Sequence, residues 1–215
     1  MKGKPMTTSS KKVLIIKSSP GAEYSVSNDM ANYFMDQFAN KDEQYEFVVR
    51  DLAQTPAPIY DTEIFNAFYT PADQLTDEQV AVVSPSLQYI EELQSADIIV
   101  VASPMHNFGV TTLLKSYLDQ ICRIGLTFKY HETGPEGLLK DKQALIIATA
   151  GGDFTQEPAK QMDFQVPYLT HVLNFVGIED VSVVPVHGMG LGDEYASQSK
   201  LQAQSALSQL ALEKF

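Results

Sequence analysis

Three short segments of this chain, Val13-Leu14-Ile15-Ile16, Ile98-Ile99-Val100-Val101 and Leu145-Ile146-Ile147, are apolar at every position and run straight into turns of small or polar residues. An apolar run without alternation reads as a strand covered on both faces, which belongs in a parallel sheet with helices packed on either side. Sheets of that kind bind ligands beyond the carboxyl ends of their strands. The turns carry Ser18, Ser19, Ser25 and Ser27 after the first run, Met105-His106-Asn107-Phe108 after the second, and Thr149-Ala150-Gly151-Gly152 after the third. Brought to one sheet edge, they would form a nucleotide-type site.

The remaining pattern fits the same architecture. Strands are expected at 13–17, 45–51, 97–102, 144–149 and 181–186. Met30, Tyr33, Phe34 and Phe38 fall on one helical face, as do Leu113, Leu114, Tyr117, Leu118, Ile121 and Ile124. The first helix should start between Ser25 and Asn28, all good N-cap types. Thr76-Asp77-Glu78-Gln79 is a capping-box pattern, residues 166–175 read as a helix stopped at Gly177, and 193–213 as a final helix. Five strands alternating with five helices predict an α/β doubly wound sheet of order 2-1-3-4-5, with helices on both faces and its switch point between strands 1 and 3.

At 215 residues, 44% of them hydrophobic, one domain suffices. Residues 1–11 read as a flexible tail and 12–215 as the domain, with insertions near 53–75 and 123–143 that are rich in aromatic residues. A formal charge of −12 argues against a nucleic-acid partner. No segment has the length and apolarity of a membrane span, so the cytoplasm is the expected compartment. Cys122 is the only cysteine, which excludes an intramolecular disulfide and a cysteine metal cluster; it reads as a small core residue, as does His171 on an apolar helix face. The four histidines have no metal-ligand spacing, and neither a P-loop nor a Gly-x-Ser-x-Gly elbow occurs. Gly188-Met189-Gly190-Leu191-Gly192 lacks dinucleotide-fingerprint spacing and reads as a flexible loop.

The loops themselves suggest the ligand. Backbone N–H groups at a helix start, with the hydroxyls of Ser19, Ser25 and Ser27, suffice for a phosphate dianion without arginine; the same serines would equally serve as caps. Met105, His106, Asn107 and Phe108 suit a planar ring, and Gly151-Gly152 permits close backbone approach. Redox chemistry by a bound cofactor fits better than hydrolysis by a side-chain nucleophile.

Lys17-Ser18-Ser19, Tyr24-Ser25-Val26-Ser27-Asn28, Ala102-Ser103-Pro104-Met105-His106-Asn107-Phe108, Thr127-Phe128-Lys129-Tyr130, Gly134-Pro135-Glu136-Gly137-Leu138, Gly151-Gly152 and Phe175-Val176-Gly177-Ile178 together resemble the FMN-dependent NADH azoreductase and quinone reductase family. The resemblance implies a flavodoxin-like homodimer that passes electron pairs from NADH, or NADPH, through FMN to quinones and azo compounds by a ping-pong cycle. It implies that Ser19, Ser25, Val26 and Ser27 hold the FMN phosphate, and that Met105, His106, Asn107, Phe108, Thr149, Ala150, Gly151 and Gly152 surround its ring. Tyr130 is implied near the substrate, and no side chain is assigned a catalytic acid or base role. His106 stands where the family often has an aromatic such as tyrosine, and Ala150 where arginine is common. A non-enzymatic FMN carrier and an NAD(P)H:flavin reductase are the alternatives; only the carrier would fail to oxidise NADH.

Overall fold

The structure, a computed structural model, describes residues 10–39 and 45–215. Seven strands and six α-helices are formed among them: β1 (Lys11–Lys17), α1 (Val26–Asp36), β2 (Tyr45–Asp51), α2 (Thr62–Tyr69), α3 (Asp77–Ser95), β3 (Ile98–Pro104), α4 (Thr112–Ile121), β4 (Phe128–His131), β5 (Gly134–Gly137), β6 (Gln143–Thr149), α5 (Val166–Val176), β7 (Asp180–Val186) and α6 (Asp193–Glu213). The main sheet is parallel, in the order β2-β1-β3-β6-β7. This is the expected 2-1-3-4-5 order, with the switch between β1 and β3.

The continuous apolar runs are explained by two cores. Leu14, Ile16, Ile99, Val101 and Ile146 face one side with Leu93, Tyr117, Leu118 and Leu173, whereas Val13, Ile15, Ile98, Val100, Leu145 and Ile147 face the other with Phe34 and Leu207. Side chains alternate between faces, so a strand roofed by helices twice must be apolar throughout. Each such side chain contributes roughly 1.5–3 kcal/mol by leaving water. The register pairs Ile15 with Val100 and Val100 with Leu145, which brings the carboxyl ends of β1, β3 and β6 to one level.

Several expectations need correction. β1 begins at Lys11, inside the segment expected as a tail, while residues 1–9 lie outside the described residues. The 53–75 insertion contains a sixth helix, α2, capped by Asp61, whose side chain accepts Ile64 N–H at 2.9 Å. The 123–143 insertion holds the antiparallel hairpin β4-β5. His171 is exposed on α5 rather than buried, because the buried stripe of that helix runs through Leu169, Val172, Leu173 and Val176. The 188–192 segment is hydrogen-bonded into the site described next, rather than free.

Candidate functional site

Beyond Lys17 the chain leaves the sheet under tight control. Ser18 N–H and its hydroxyl both donate to Ala102 O, at 3.1 and 2.9 Å, and Thr111 Oγ1 donates to Ser18 O at 2.9 Å. Thr111 also caps α4 by accepting Leu114 N–H at 3.1 Å. The β1 and β3 loops are thereby fixed to each other where the strand order reverses.

Ser25 is the N-cap of α1; its Oγ accepts Asn28 N–H at 3.2 Å and lies 3.1 Å from Ser27 Oγ. The first backbone bond of the helix is Asp29 N–H to Ser25 O. The N–H groups of Val26 and Ser27 precede it, and such groups have no intrahelical acceptor. Ser19 Oγ accepts Gly21 N–H at 3.2 Å and keeps its own proton for another acceptor. All three serines are buried. Lys17 turns its ammonium to Asn32 Oδ1, 2.7 Å away.

The second loop is a two-residue reverse turn: His106 N–H donates to Gly109 O at 2.9 Å and Gly109 N–H to His106 O at 3.1 Å. Its central residues, Asn107 (φ 48°) and Phe108 (φ 69°), are both left-handed. Asn tolerates that conformation, but Phe adopts it at a cost of about 1–2 kcal/mol. Phe108 O accepts Phe164 N–H at 3.0 Å, and the residue is 48% exposed. A strained, exposed aromatic held by its surroundings marks a functional position more often than a packing one.

The third loop is tied to both neighbours. Met105 N–H donates to Thr149 O at 2.7 Å and Gln165 Nε2 to Ser103 O at 2.8 Å. Met189 N–H donates to Ala150 O, Gly190 N–H to Gly151 O and Gly188 N–H to Gly152 O, at 2.8–3.0 Å. Those three bonds are why the glycine-rich segment after β7 is not a free loop.

A cleft of about 170 Å³ opens where the three loops meet. Ser19, Ser25, Val26, Met105, Thr149, Ala150 and Gly151 line it, so the expected residues of all three loops converge; Ser27 lies beneath, bonded to Ser25. Gly152, His106, Asn107 and Phe108 are not among the lining residues; the last three are exposed on the turn after β3. Tyr130 does not line the cleft; it stands 64% exposed on the β4-β5 hairpin. Tyr24, Pro104 and Met189 also line the cleft and were not expected. Met189 had one available signal, its position just after a fifth strand ending at the same sheet edge. Among the described residues no carboxylate, lysine or arginine lines this cleft.

The titratable groups elsewhere are explained by burial and pairing. Burial pushes the Cys122 thiol up to about 11, so it is a packed hydrophobe rather than a nucleophile. Arg50 is held charged by its bond to Glu92. No group of His, Cys, Asp and Glu among the described residues could hold a metal, and no described helix is long and apolar enough to cross a membrane.

A doubly wound parallel sheet with a serine-lined helix start at its switch point defines a flavodoxin-type protein, and the family model described as a flavodoxin-like fold matches residues 11–211. The chain is 40% identical over 195 residues to an FMN-dependent NADH:quinone oxidoreductase of Hydrogenovibrio crunogenus, covering 91% of this chain and 96% of that protein. It superposes on an azoreductase of Bacillus anthracis with TM-score 0.87 at 25% identity, over 95% of this chain and 100% of that one. An FMN-dependent NADH-azoreductase of Bacillus anthracis, solved in complex with FMN, gives 0.83 at 29%, over 94% and 99%. The chain belongs to the family of FMN-dependent NADH:quinone oxidoreductases and azoreductases.

Proposed function

We propose that this chain binds FMN in the cleft at the carboxyl ends of β1, β3 and β6 and moves electron pairs from NADH to quinones and azo compounds. The observation that carries this reading is the cradle at α1. It offers buried serine hydroxyls and helix-start N–H groups, with no carboxylate among the described lining residues, which suits a phosphate monoester at contact. When bound, FMN supplies the redox chemistry, accepting hydride from the nicotinamide and delivering it to the acceptor.

The chain contributes binding and orientation. Ser19, Ser25, Val26 and Ser27 take the phosphate. Met105, His106, Asn107 and Phe108 take one side of the ring, and Thr149, Ala150, Gly151 and Gly152 another. Donor and acceptor would use the exposed turn after β3 one after the other, which makes the cycle ping-pong. Tyr130, with its hairpin, would form the substrate wall. We assign no side chain as acid or base.

The functional unit in this reading is a homodimer. Ile59 and Tyr69 are 73% and 70% exposed, and Phe65, Tyr130 and Phe164 are exposed as well; a second copy of the chain is the partner that would cover them in this reading. The single partly buried cysteine suits a reducing cytoplasm. The deciding experiment is direct. The purified chain should carry a yellow flavin band that bleaches with NADH and returns on adding a quinone, with NADPH run beside it. Failure to retain or take up FMN would overturn the reading, and flavin that NADH cannot bleach would make the chain a carrier.

A further inference from the structure

One aromatic ring joins two of the three loops that form the cleft. Phe154 lies against Gly152, where a Cβ would come within 3.2 Å of Phe154 Cε2. Its ring also meets the ring of the strained Phe108, with centroids 6.2 Å apart at 83°. The third contact comes from the end of β7: the His187 ring lies 5.9 Å from that of Phe154 at 89°, and its Nδ1 accepts Phe154 N–H at 3.2 Å. A nitrogen that accepts carries no proton, so the neutral imidazole must hold its proton on Nε2. That Nε2 is buried with no partner among the described residues, and the residue is 5% exposed.

We propose that His187 is a positioning residue: as the neutral Nε2–H imidazole, it fixes Phe154 as the bridge between the Gly151-Gly152 turn and the His106–Gly109 turn, and so sets the ring wall of the cleft. The effect on FMN rests on the function proposed above; the contact itself belongs to the chain alone.

The surroundings give this device a direction with pH. Protonated Nδ1 would face Phe154 N–H as donor against donor, and the bond would be lost. Two carboxylates act on the ring, Asp153 at 4.0 Å and Asp163 from the segment before α5, and both favour the imidazolium. Burial opposes them and prevails, holding His187 below the ordinary histidine value. Asp153 is not free to swing into a closer pair: its Oδ2 accepts the Tyr195 hydroxyl of α6 at 2.7 Å, and its Oδ1 accepts Thr155 N–H and hydroxyl. The unfolded chain therefore takes up the proton first as pH falls. Stability is fully present above the ordinary histidine value and declines as pH drops through the folded one.

Two variants separate the roles. His187→Asn keeps an acceptor near the Nδ1 position and cannot titrate in this range, whereas His187→Ala removes it. In the full chain free of FMN, nitrogen NMR reads the His187 tautomer and amide exchange reads Phe154 N–H. Fluorescence titration then gives FMN affinity at about pH 8 and about pH 5, with circular dichroism following the fold. In wild type, the amide should be protected and FMN tight at the higher pH, with affinity falling about tenfold at the lower one. Asn should make that dependence shallower, leaving only what the FMN phosphate contributes by its second ionisation at about pH 6, and Ala should be about tenfold weaker than wild type at the higher pH and match it at the lower. The proposal is overturned if Nδ1 carries the proton at the higher pH, if Asn and wild type share one profile, or if folded Ala keeps wild-type protection and affinity at the higher pH. Should Ala not fold, Asn against wild type decides. Wild type that takes up no FMN at either pH refutes the flavin reading, while the tautomer and amide still decide His187.

Discussion

Ser25 has two tasks that substitution can separate. Its hydroxyl caps α1 through Asn28 N–H, and it is poised to bond a phosphate oxygen. Ser25→Ala should lose both, at about 1 kcal/mol for the cap and about 10–100-fold in FMN affinity, the equivalent of roughly 1.5–3 kcal/mol. Ser25→Gly costs the cap only a few tenths of a kcal/mol, so it should unfold near the wild-type temperature yet bind FMN as weakly as the Ala variant. Wild-type affinity in that variant and in a Ser25→Ala, Ser27→Ala pair would remove both serines from the site. Cys122 gives a second residue-scale expectation. A thiol raised to about 11 is almost all protonated near neutrality, so alkylation should be slow there and accelerate as pH climbs toward that value; fast labelling of the native chain at neutral pH would contradict this. That Ser19 and Ser25 line the cleft was legible because they follow an apolar strand and precede a helix start, although capping alone would also place serine there. Tyr24, Pro104 and Met189 were not, because a lone apolar residue near a strand end does not show by its type which wall it forms.

The elements divide in the same way. The sheet and its covering helices were legible because apolar runs and helical periodicities extend over whole elements, and Asp193–Glu213 is formed as expected. The hairpin and α2 were not. An eight-residue helix is too short to be stable alone, and four-residue strands containing Gly134, Pro135 and Gly137 oppose strand propensity. Tertiary contacts decide both: the Arg123 guanidinium lies 3.7 Å from the Phe68 ring centre, Gln120 Nε2 donates to Pro58 O at 3.0 Å, and Phe128 packs on Phe175 at 4.6 Å. The tightest joint is between hairpin and α5, where Gly137 backs onto Gly177, itself left-handed at φ 106° as the helix cap. A Cβ on Gly137 would come within 2.1 Å of Gly177 N. Gly137→Ala should therefore cost about 1–3 kcal/mol, measured by urea unfolding. Because the hairpin stands apart from the cleft, the same variant should slow quinone reduction while leaving FMN affinity intact. A weakened FMN site with normal quinone turnover would reverse the roles given to hairpin and cleft.

At the scale of the whole molecule, the exposed aromatic side chains of α2 and the hairpin are reason to expect the dimer to be the active form. NADH-quinone turnover followed over dilution, beside sedimentation, should fall in step with the dimer fraction; a fully active monomer would make these segments lids within one chain. The cradle at α1 has a further consequence once the molecule's charge of −12 is set beside it. A dianion approaching so acidic a protein is repelled at long range and held only at contact, by hydroxyls and N–H dipoles. Dissolved ions screen the first effect over about 10 Å at 0.1 M and hardly touch the second. Raising ionic strength should therefore quicken and tighten capture of the cofactor, the reverse of a phosphate site built on lysine and arginine.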